Sequence, residues 1–129
     1  MALDLHDLPQ PYVDFLRERH LGSLTTLRPD GSPHVVAVGF VYDAAEGLVR
    51  VITDAGSRKA RNLAGGGRAA VCQVDGPRWA TLEGPARVTG SADAVARGVA
   101  AYATRYRQPR DNPTRVVIEI TVDRALGRG

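Results

Sequence analysis

The chain has 129 residues, of which 43% are hydrophobic and 24% charged, with a formal net charge of +3. This balance is typical of one folded domain spanning residues 1–129 and excludes a low-complexity chain. Arginines and acids alternate along the sequence, which argues against nucleic-acid binding. The single cysteine excludes a disulfide framework or a thiolate metal site. With no recognisable signal peptide and no run of roughly 20 apolar residues to span a membrane, a cytoplasmic protein is expected.

The first half of the chain predicts one helix and three strands. The helix covers 12–20, because Tyr12, Phe15 and Leu16 fall on one face. Pro29-Asp30-Gly31 is a strong hairpin signal, and a second turn follows near Asp43. The strands that these turns separate are predicted at 23–27, 32–42 and 48–53.

The second half predicts two helices and three more strands. Ser57 is a good N-cap for a short helix that runs towards Leu63, and Ser91 is one for a longer helix over 92–107. Gly84-Pro85 predicts a bend within one of the strands. The strands are predicted at 68–74, 78–89 and 115–122.

Six strands joined mainly by hairpin-type turns predict a mainly β protein, with an antiparallel sheet closed into a small barrel. A parallel sheet would need a helix between most strands, and the connections are too short for that. Side chains fill the interior of so small a barrel. A sizeable ligand therefore has to lie outside it or between two copies, which predicts a homodimer with a shared cleft.

The segment 51–63 is the strongest candidate for a binding site. It predicts a strand end, a turn and a helix whose first turn carries basic side chains, although the N-terminus of a helix normally favours acids. A bound anion such as phosphate would explain them, and Lys59 is the only lysine among the 17 Lys and Arg residues. The alternative is a solvated basic helix end.

Three sequence blocks occur in a familiar order: L-T-T-L-R-P-D-G-S-P-H-V-V at 24–36, V-I-T-D-A-G-S-R-K-A-R-N-L at 51–63 and R-W-A-T-L-E-G at 78–84. With them the chain resembles the pyridoxamine-phosphate-oxidase-like family of split β-barrels, which bind flavin mononucleotide (FMN) or a deazaflavin. The segments H-V-V-A-V-G-F, Q-V-D-G-P-R-W and Y-A-T-R-Y-R are similar to small actinobacterial reductases that use coenzyme F420, among them those that reduce biliverdin.

The resemblance implies a set of cofactor contacts. Ser57, Arg58 and Lys59 would hold the phosphate, while Thr53 and the 34–36 backbone would edge the ring. Trp79 stands where flavin-using relatives commonly carry a glutamine, which favours F420 over FMN, and the side chain is expected to come from the partner subunit. The full implied set is His34, Val35, Val36, Thr53, Ser57, Arg58, Lys59, Asn62, Gln73 and Trp79.

The expected activity is hydride transfer from reduced F420 to a conjugated acceptor such as biliverdin. An FMN-dependent oxidoreductase and a non-catalytic F420 carrier remain as alternatives. Arg78, Arg105 and Arg107 are candidates for the substrate, since guanidinium groups pair with carboxylates. The last two also fit a solvated helix C-terminus, and His34 fits either a proton donor or a packing residue. No pattern in the sequence predicts a metal site.

Overall fold

The computed structural model describes residues 2–129 of the chain. Its helices are α1 (Gln10–Arg17), α2 (Arg58–Asn62) and α3 (Ala92–Arg105). Its strands are β1 (Gly22–Leu27), β2 (Pro33–Val38), β3 (Val41–Asp43), β4 (Leu48–Asp54), β5 (Arg68–Asp75), β6 (Arg78–Thr89), β7 (Arg115–Thr121) and β8 (Arg124–Arg128). The mainly β, antiparallel class predicted from the sequence is confirmed.

The strands form one sheet in the order β2-β1-β5-β6-β7-β4-β3, and β8 pairs with β6. Strand β6 connects the two parts of the sheet. Its first half pairs with β5 and β8, while Ala86–Thr89 pairs with β7. The change of partner occurs at Gly84, where a Cβ would collide with the backbone carbonyl of Thr121. The predicted Gly84-Pro85 bend is this crossing point.

Two predictions about the sheet were wrong. The sheet has eight strands rather than six, and it does not close in the described residues, since β2 and β3 lie at opposite ends of the strand path. The predicted strand 32–42 divides at Gly39 and Phe40, because Gly39 packs against the rings of Tyr102 and Tyr106 instead of a neighbouring strand. The sequence of strand β8 does not alternate clearly between apolar and polar residues. It forms a strand because it pairs with β6, which lies far away in the sequence.

The core lies between the curved halves of the sheet, with α1 covering one end. Fully buried side chains that fill it include Leu24, Phe40, Val71, Leu82, Ile118 and Ile120. From α1, Tyr12 and Phe15 enter the same cluster, and the Tyr12 hydroxyl donates to the carbonyl of Leu126 over 2.8 Å. This packing anchors the helix whose C-terminal end meets the β5–β6 hairpin.

Both predicted N-caps are confirmed. The hydroxyl oxygen of Ser57 accepts the backbone N–H of Ala60 at 3.3 Å, and that of Ser91 accepts the N–H of Ala94 at 3.2 Å. Each bond satisfies an N–H group that the first turn of a helix leaves without a partner. Over residues 2–129, none of the helices has both the length and the apolar character that crossing a bilayer would require.

Candidate functional site

A cleft of about 320 Å³ opens between β2, β4, α2, α3 and the loop that precedes β7. It lies beside the interruption between β2 and β3, where the chain leaves the sheet. The residues that line it are Ala37, Val38, Gly39, Ile52, Thr53, Asp54, Lys59, Tyr102, Pro109, Asn112 and Arg115. We call this the Lys59 cleft. It brings together two residues that the sequence nominated for cofactor binding, Thr53 and Lys59.

Lys59 supplies an ammonium group to the cleft, and it forms no salt bridge with any described carboxylate. Its side chain is half-buried, and burial lowers the pKa of its amine below the ordinary value of 10.5. Among the described residues no acidic side chain contributes to this pKa by raising it. A partly desolvated cation without an acidic partner is costly unless an anion can reach it. The geometry therefore fits a site for an anionic ligand.

Asp54 also lines the cleft, and its carboxylate is occupied by neighbouring donors. It accepts the backbone N–H of Gly56 at 2.8 Å, the Asn112 amide at 3.3 Å and the Thr114 hydroxyl. The Thr114 and Gly56 bonds are the main reasons that the pKa of Asp54 is lowered. Asp54 thus organises the turn before α2 and the loop before β7, and leaves the charge of Lys59 unpaired.

Ser57 and Thr53 form a small hydroxyl pair at the start of α2. The Thr53 hydroxyl donates to the Ser57 oxygen over 3.0 Å, and the same oxygen accepts the N–H of Ala60. The Ser57 hydroxyl hydrogen is therefore left to donate elsewhere. Because α2 has only five residues, its terminal dipole is small, and attraction for an anion must come mainly from the Lys59 side chain. Arg58 is exposed to solvent.

Asn62 and His34 both lie next to Thr26 of β1. Neither residue lines the Lys59 cleft. The Asn62 amide nitrogen donates to the Thr26 hydroxyl over 3.0 Å, and His34 lies opposite Thr26 in the β1–β2 pair. Two buried polar atoms here have no partner in the described residues, the Asn62 Oδ1 and the His34 Nδ1. Thr26 itself is 1% exposed, and the sequence analysis did not identify it.

Of the neighbouring predicted contacts, Val35 faces solvent with 61% of its surface exposed, while Val36 packs on the core. Gln73 is fully buried, and both ends of its amide are used. Its nitrogen donates to the carbonyl of Phe15 at 2.8 Å, and its oxygen accepts from Arg105. Gln73 is therefore a core residue and does not line the cleft. Trp79 lies on the β5–β6 hairpin, 40% exposed and outside the lining of the cleft.

Arg78 is held by an acidic cluster where α1 meets the β5–β6 hairpin. Its guanidinium donates to Glu18 at 2.7 and 2.9 Å and to Asp75 at 2.5 Å, and stacks 4.5 Å from the Phe15 ring centre. These bonds lower the pKa of Glu18 to about 2. With His20, the two carboxylates have the residue types of a metal site, but Arg78 is bonded to both of them. In this structure the Arg78 guanidinium is thus engaged by the chain's own acids.

Arg105, a second predicted substrate arginine, is likewise engaged within the chain. Its guanidinium donates to the backbone carbonyls of Phe40 and Glu18 and to the side chain of Gln73. Burial lowers its pKa, although an arginine stays charged at neutral pH. Arg107, two residues later, is exposed beside two further clefts. Of the three predicted substrate arginines, only Arg107 remains available to a ligand.

The family model described as pyridoxamine 5′-phosphate oxidase matches residues 8–128 of the chain. The chain belongs to the pyridoxamine 5′-phosphate oxidase family. The resemblance noted in the sequence is thereby confirmed.

Relatives of this family member include an F420H2-dependent biliverdin reductase from Mycobacterium tuberculosis (strain CDC 1551 / Oshkosh). It is 57% identical over 113 residues, which cover 88% of this chain and 82% of the relative. A solved structure of a conserved hypothetical protein from Mycobacterium tuberculosis matches with a TM-score of 0.79 and 26% identity, over 95% of this chain and 85% of that one. An F420 reductase structure matches in fold with a TM-score of 0.75 and 24% identity, over 92% and 98% of the two chains.

Several residues that line the cleft of this family member were missed by sequence reasoning. Tyr102 falls within the predicted helix 92–107, and Asn112 and Arg115 lie between that helix and the last predicted strand or at its start, where the sequence has no recognisable motif. Arg115 helps to shape this loop by donating to the carbonyl of Arg110. The available signal was the Y-A-T-R-Y-R segment, which places Tyr102 and Tyr106 one helical turn apart.

Proposed function

We propose that this chain is an F420-dependent oxidoreductase that reduces a conjugated acceptor, with biliverdin as the first acceptor to test. The observation that carries the proposal is the half-buried, unpaired ammonium of Lys59 in the cleft beside β4 and α2. The F420H2-dependent biliverdin reductase from Mycobacterium tuberculosis supports the choice of cofactor and acceptor, because it is 57% identical over most of both chains.

The donors around Lys59 fit a phosphate group. Lys59, with the hydroxyl of Ser57 and the exposed guanidinium of Arg58, would surround its oxygens, and charge-assisted hydrogen bonds of this kind are the stronger ones. Thr53 lines the same cleft at the end of β4, where it would meet the part of the cofactor next to the phosphate. Asp54 lines the same cleft, but its carboxylate is bonded to neutral donors and not to Lys59, so the ammonium stays available to an anion.

When bound, reduced F420 supplies a hydride, which together with one proton reduces the acceptor by two electrons. The contribution of this chain is binding and orientation. Val38, Ile52 and Tyr102 contribute apolar surface to the cleft, and the 34–36 backbone of β2 would edge the ring. Holding cofactor and acceptor in contact removes much of the entropic cost of their meeting.

The proposed cofactor site is completed by a second copy of the chain. The outer face of the sheet carries exposed apolar side chains on neighbouring strands: Leu27, Val35, Val74 and Trp79, between 40% and 62% exposed. Exposed apolar side chains on one face of a sheet favour association. In a homodimer, Trp79 of the partner subunit would reach the ring in place of a glutamine. Light scattering should then give twice the chain mass, and Val35→Arg, which puts a charge on this face, should give the monomer.

The test of the function is a titration of the purified protein with F420 and with FMN side by side, followed by turnover of reduced F420 with biliverdin. The proposal predicts quenching of F420 fluorescence on binding and oxidation of the reduced cofactor when biliverdin is added. A yellow protein that retains FMN and ignores F420 would indicate the flavin-dependent alternative. Binding of F420 without turnover of biliverdin or of other conjugated acceptors would indicate a carrier.

A further inference from the structure

Three clefts meet around the side chain of Tyr102. It lines the Lys59 cleft and two neighbouring clefts of about 340 Å³ each. The first neighbour, which we call the arginine cleft, is lined by Tyr102, Arg107, Gln108, Pro109 and Arg110. Because Tyr102 and Pro109 belong to both linings, the arginine cleft and the Lys59 cleft form adjacent parts of one surface depression.

The arginine cleft is positively charged and has no acidic residue in its lining. Arg107 and Arg110 both contribute to it, and the nearest acid in sequence, Asp111, is exposed and does not line it. Neither guanidinium forms a salt bridge in the described part of the chain. Several other surface arginines are paired with acids, as in Arg68–Asp123, Arg87–Glu119 and Arg97–Asp93.

The loop that carries Arg110 is held by a hydrogen bond from Arg115. The guanidinium of Arg115, itself in the lining of the Lys59 cleft, donates to the backbone carbonyl of Arg110. On the other side, Tyr106 holds the end of α3 because its hydroxyl donates to the carbonyl of His20 at 2.6 Å. Arg107 therefore follows an anchored helix end, and Arg110 lies on an anchored loop, so little ordering is needed for both to receive a ligand.

We propose that the arginine cleft binds a carboxylate arm of the acceptor, whose conjugated part lies at the adjoining Lys59 cleft. This inference rests on the proposed function, and it makes the acceptor class a conjugated molecule with flexible carboxylate arms, such as a linear tetrapyrrole with its propionates. Two planar guanidinium groups suit carboxylates, which they can bind in bidentate fashion. The single ammonium of Lys59 suits a compact phosphate charge and marks the cofactor end.

The test compares biliverdin with its dimethyl ester, which has the same conjugated system without the carboxylate charges. The double variant Arg107→Ala, Arg110→Ala should raise KM for biliverdin at least about tenfold with kcat within about twofold, as expected for lost ground-state binding. KM for the ester and Kd for F420 should not change. Arg97→Ala, on the exposed face of α3 where Arg97 pairs with Asp93, is the matched control and should match the wild type.

Direct binding of both tetrapyrroles to the protein without cofactor, followed by Trp79 fluorescence, keeps the inference testable if turnover fails. The wild type should bind the acid more tightly than the ester, and the double variant should bind them equally. Equal binding by the wild type, or an unchanged KM in the double variant, would overturn the inference. A loss of F420 affinity in the double variant would also overturn it, by assigning these arginines to the cofactor. Failure of the wild type to bind F420 would instead count against the proposed function.

Discussion

The two basic regions of the molecule use the same residue types in opposite ways. Where α1 meets the β5–β6 hairpin, Arg78 is enclosed by Glu18 and Asp75 and stacks on Phe15. Beside α2 and at the end of α3, Lys59, Arg107 and Arg110 have no acidic partner among the described residues. A cation that the chain neutralises itself stabilises the fold, whereas one that it leaves unpaired next to a cleft is available to a ligand.

Arg105 shows how closely the two kinds of residue can lie in sequence. It precedes Arg107 by two positions, yet it connects the end of α1, the β2–β3 interruption and the core amide of Gln73. Its guanidinium also stacks on the rings of Phe40 and Tyr106. Replacing Arg105 and Arg107 one at a time therefore compares an arginine that the fold uses with one, two residues later, that is proposed to bind a ligand.

The largest effect is expected from Arg105→Ala, which would leave the buried Gln73 side-chain oxygen without its donor. The Phe40 carbonyl keeps the Tyr106 hydroxyl as a donor, and water can reach the exposed Glu18 carbonyl. A buried polar group without a partner costs about 1–3 kcal/mol, and stacking on Phe40 and Tyr106 is lost as well, so the free energy of unfolding should fall by about 2 kcal/mol. Urea unfolding measures this directly. Arg107→Ala should leave the unfolding midpoint near that of the wild type. An equal loss of stability in both variants would mean that Arg105 contributes no more to the fold than Arg107.

Next in size is the effect of Lys59→Ala on cofactor binding. Loss of the ammonium should weaken F420 affinity at least tenfold, or about 1.4 kcal/mol, while the unfolding midpoint stays close to the wild type. Fluorescence titration gives Kd for both proteins. Arg61→Ala, which removes an exposed charge from the same short helix, serves as control and should have a much smaller effect. Unchanged F420 affinity in Lys59→Ala would remove Lys59 from the site.

A smaller effect on stability is expected from Ser57→Ala. The variant loses the cap on the Ala60 N–H and the acceptor for the Thr53 hydroxyl, and N-cap replacements typically cost about 1 kcal/mol. If Ser57 also donates to the cofactor phosphate, the F420 affinity of the variant should fall as well. Ser91→Ala, the equivalent change at the cap of α3, should reduce stability alone. Equal F420 affinity in the two serine variants would limit Ser57 to the role of helix cap.

The smallest effect is the pH dependence of the stability that the Arg78–Glu18 ion pair contributes. Arg78 and His20 lower the pKa of Glu18 from 4.5 to about 2, so ionised Glu18 stabilises the fold above pH 4.5. This contribution should shrink as the pH falls from 4.5 through about 2, because the unfolded state takes up its proton first, and it is lost below that pH, where both states carry the protonated acid. The melting temperatures of the wild type and Glu18→Gln should therefore converge over this range. A difference that stays constant with pH would mean that the ion pair adds nothing.

Local signals in the sequence predicted most of the elements. The strand 78–89 was predicted with its observed bounds, since its hairpin turn and its glycine bend are both visible in the residues themselves. The caps Ser57 and Ser91 and the importance of Lys59 also follow from local chemistry. In these cases a few neighbouring residues determine the conformation, so the pattern is sufficient.

The remaining features depend on contacts between distant residues. The resemblance implied that Gln73 contacts the cofactor, but the side chain is buried and bonded to Phe15 and Arg105, which lie 58 and 32 positions away. Arg105 and Arg107 looked alike because a helix end gives no sign of which arginine the core will engage. Strand β8 was missed because only its pairing with β6 makes it a strand.

The claim that Lys59 binds the cofactor phosphate is tested most directly by titrating the wild type and Lys59→Ala with F420 and with its phosphate-free deazaflavin nucleoside. If Lys59 binds the phosphate, the substitution weakens binding of F420 and leaves binding of the nucleoside unchanged. Equal losses for both ligands, or no loss for either, would contradict this assignment and the account of the site built on it.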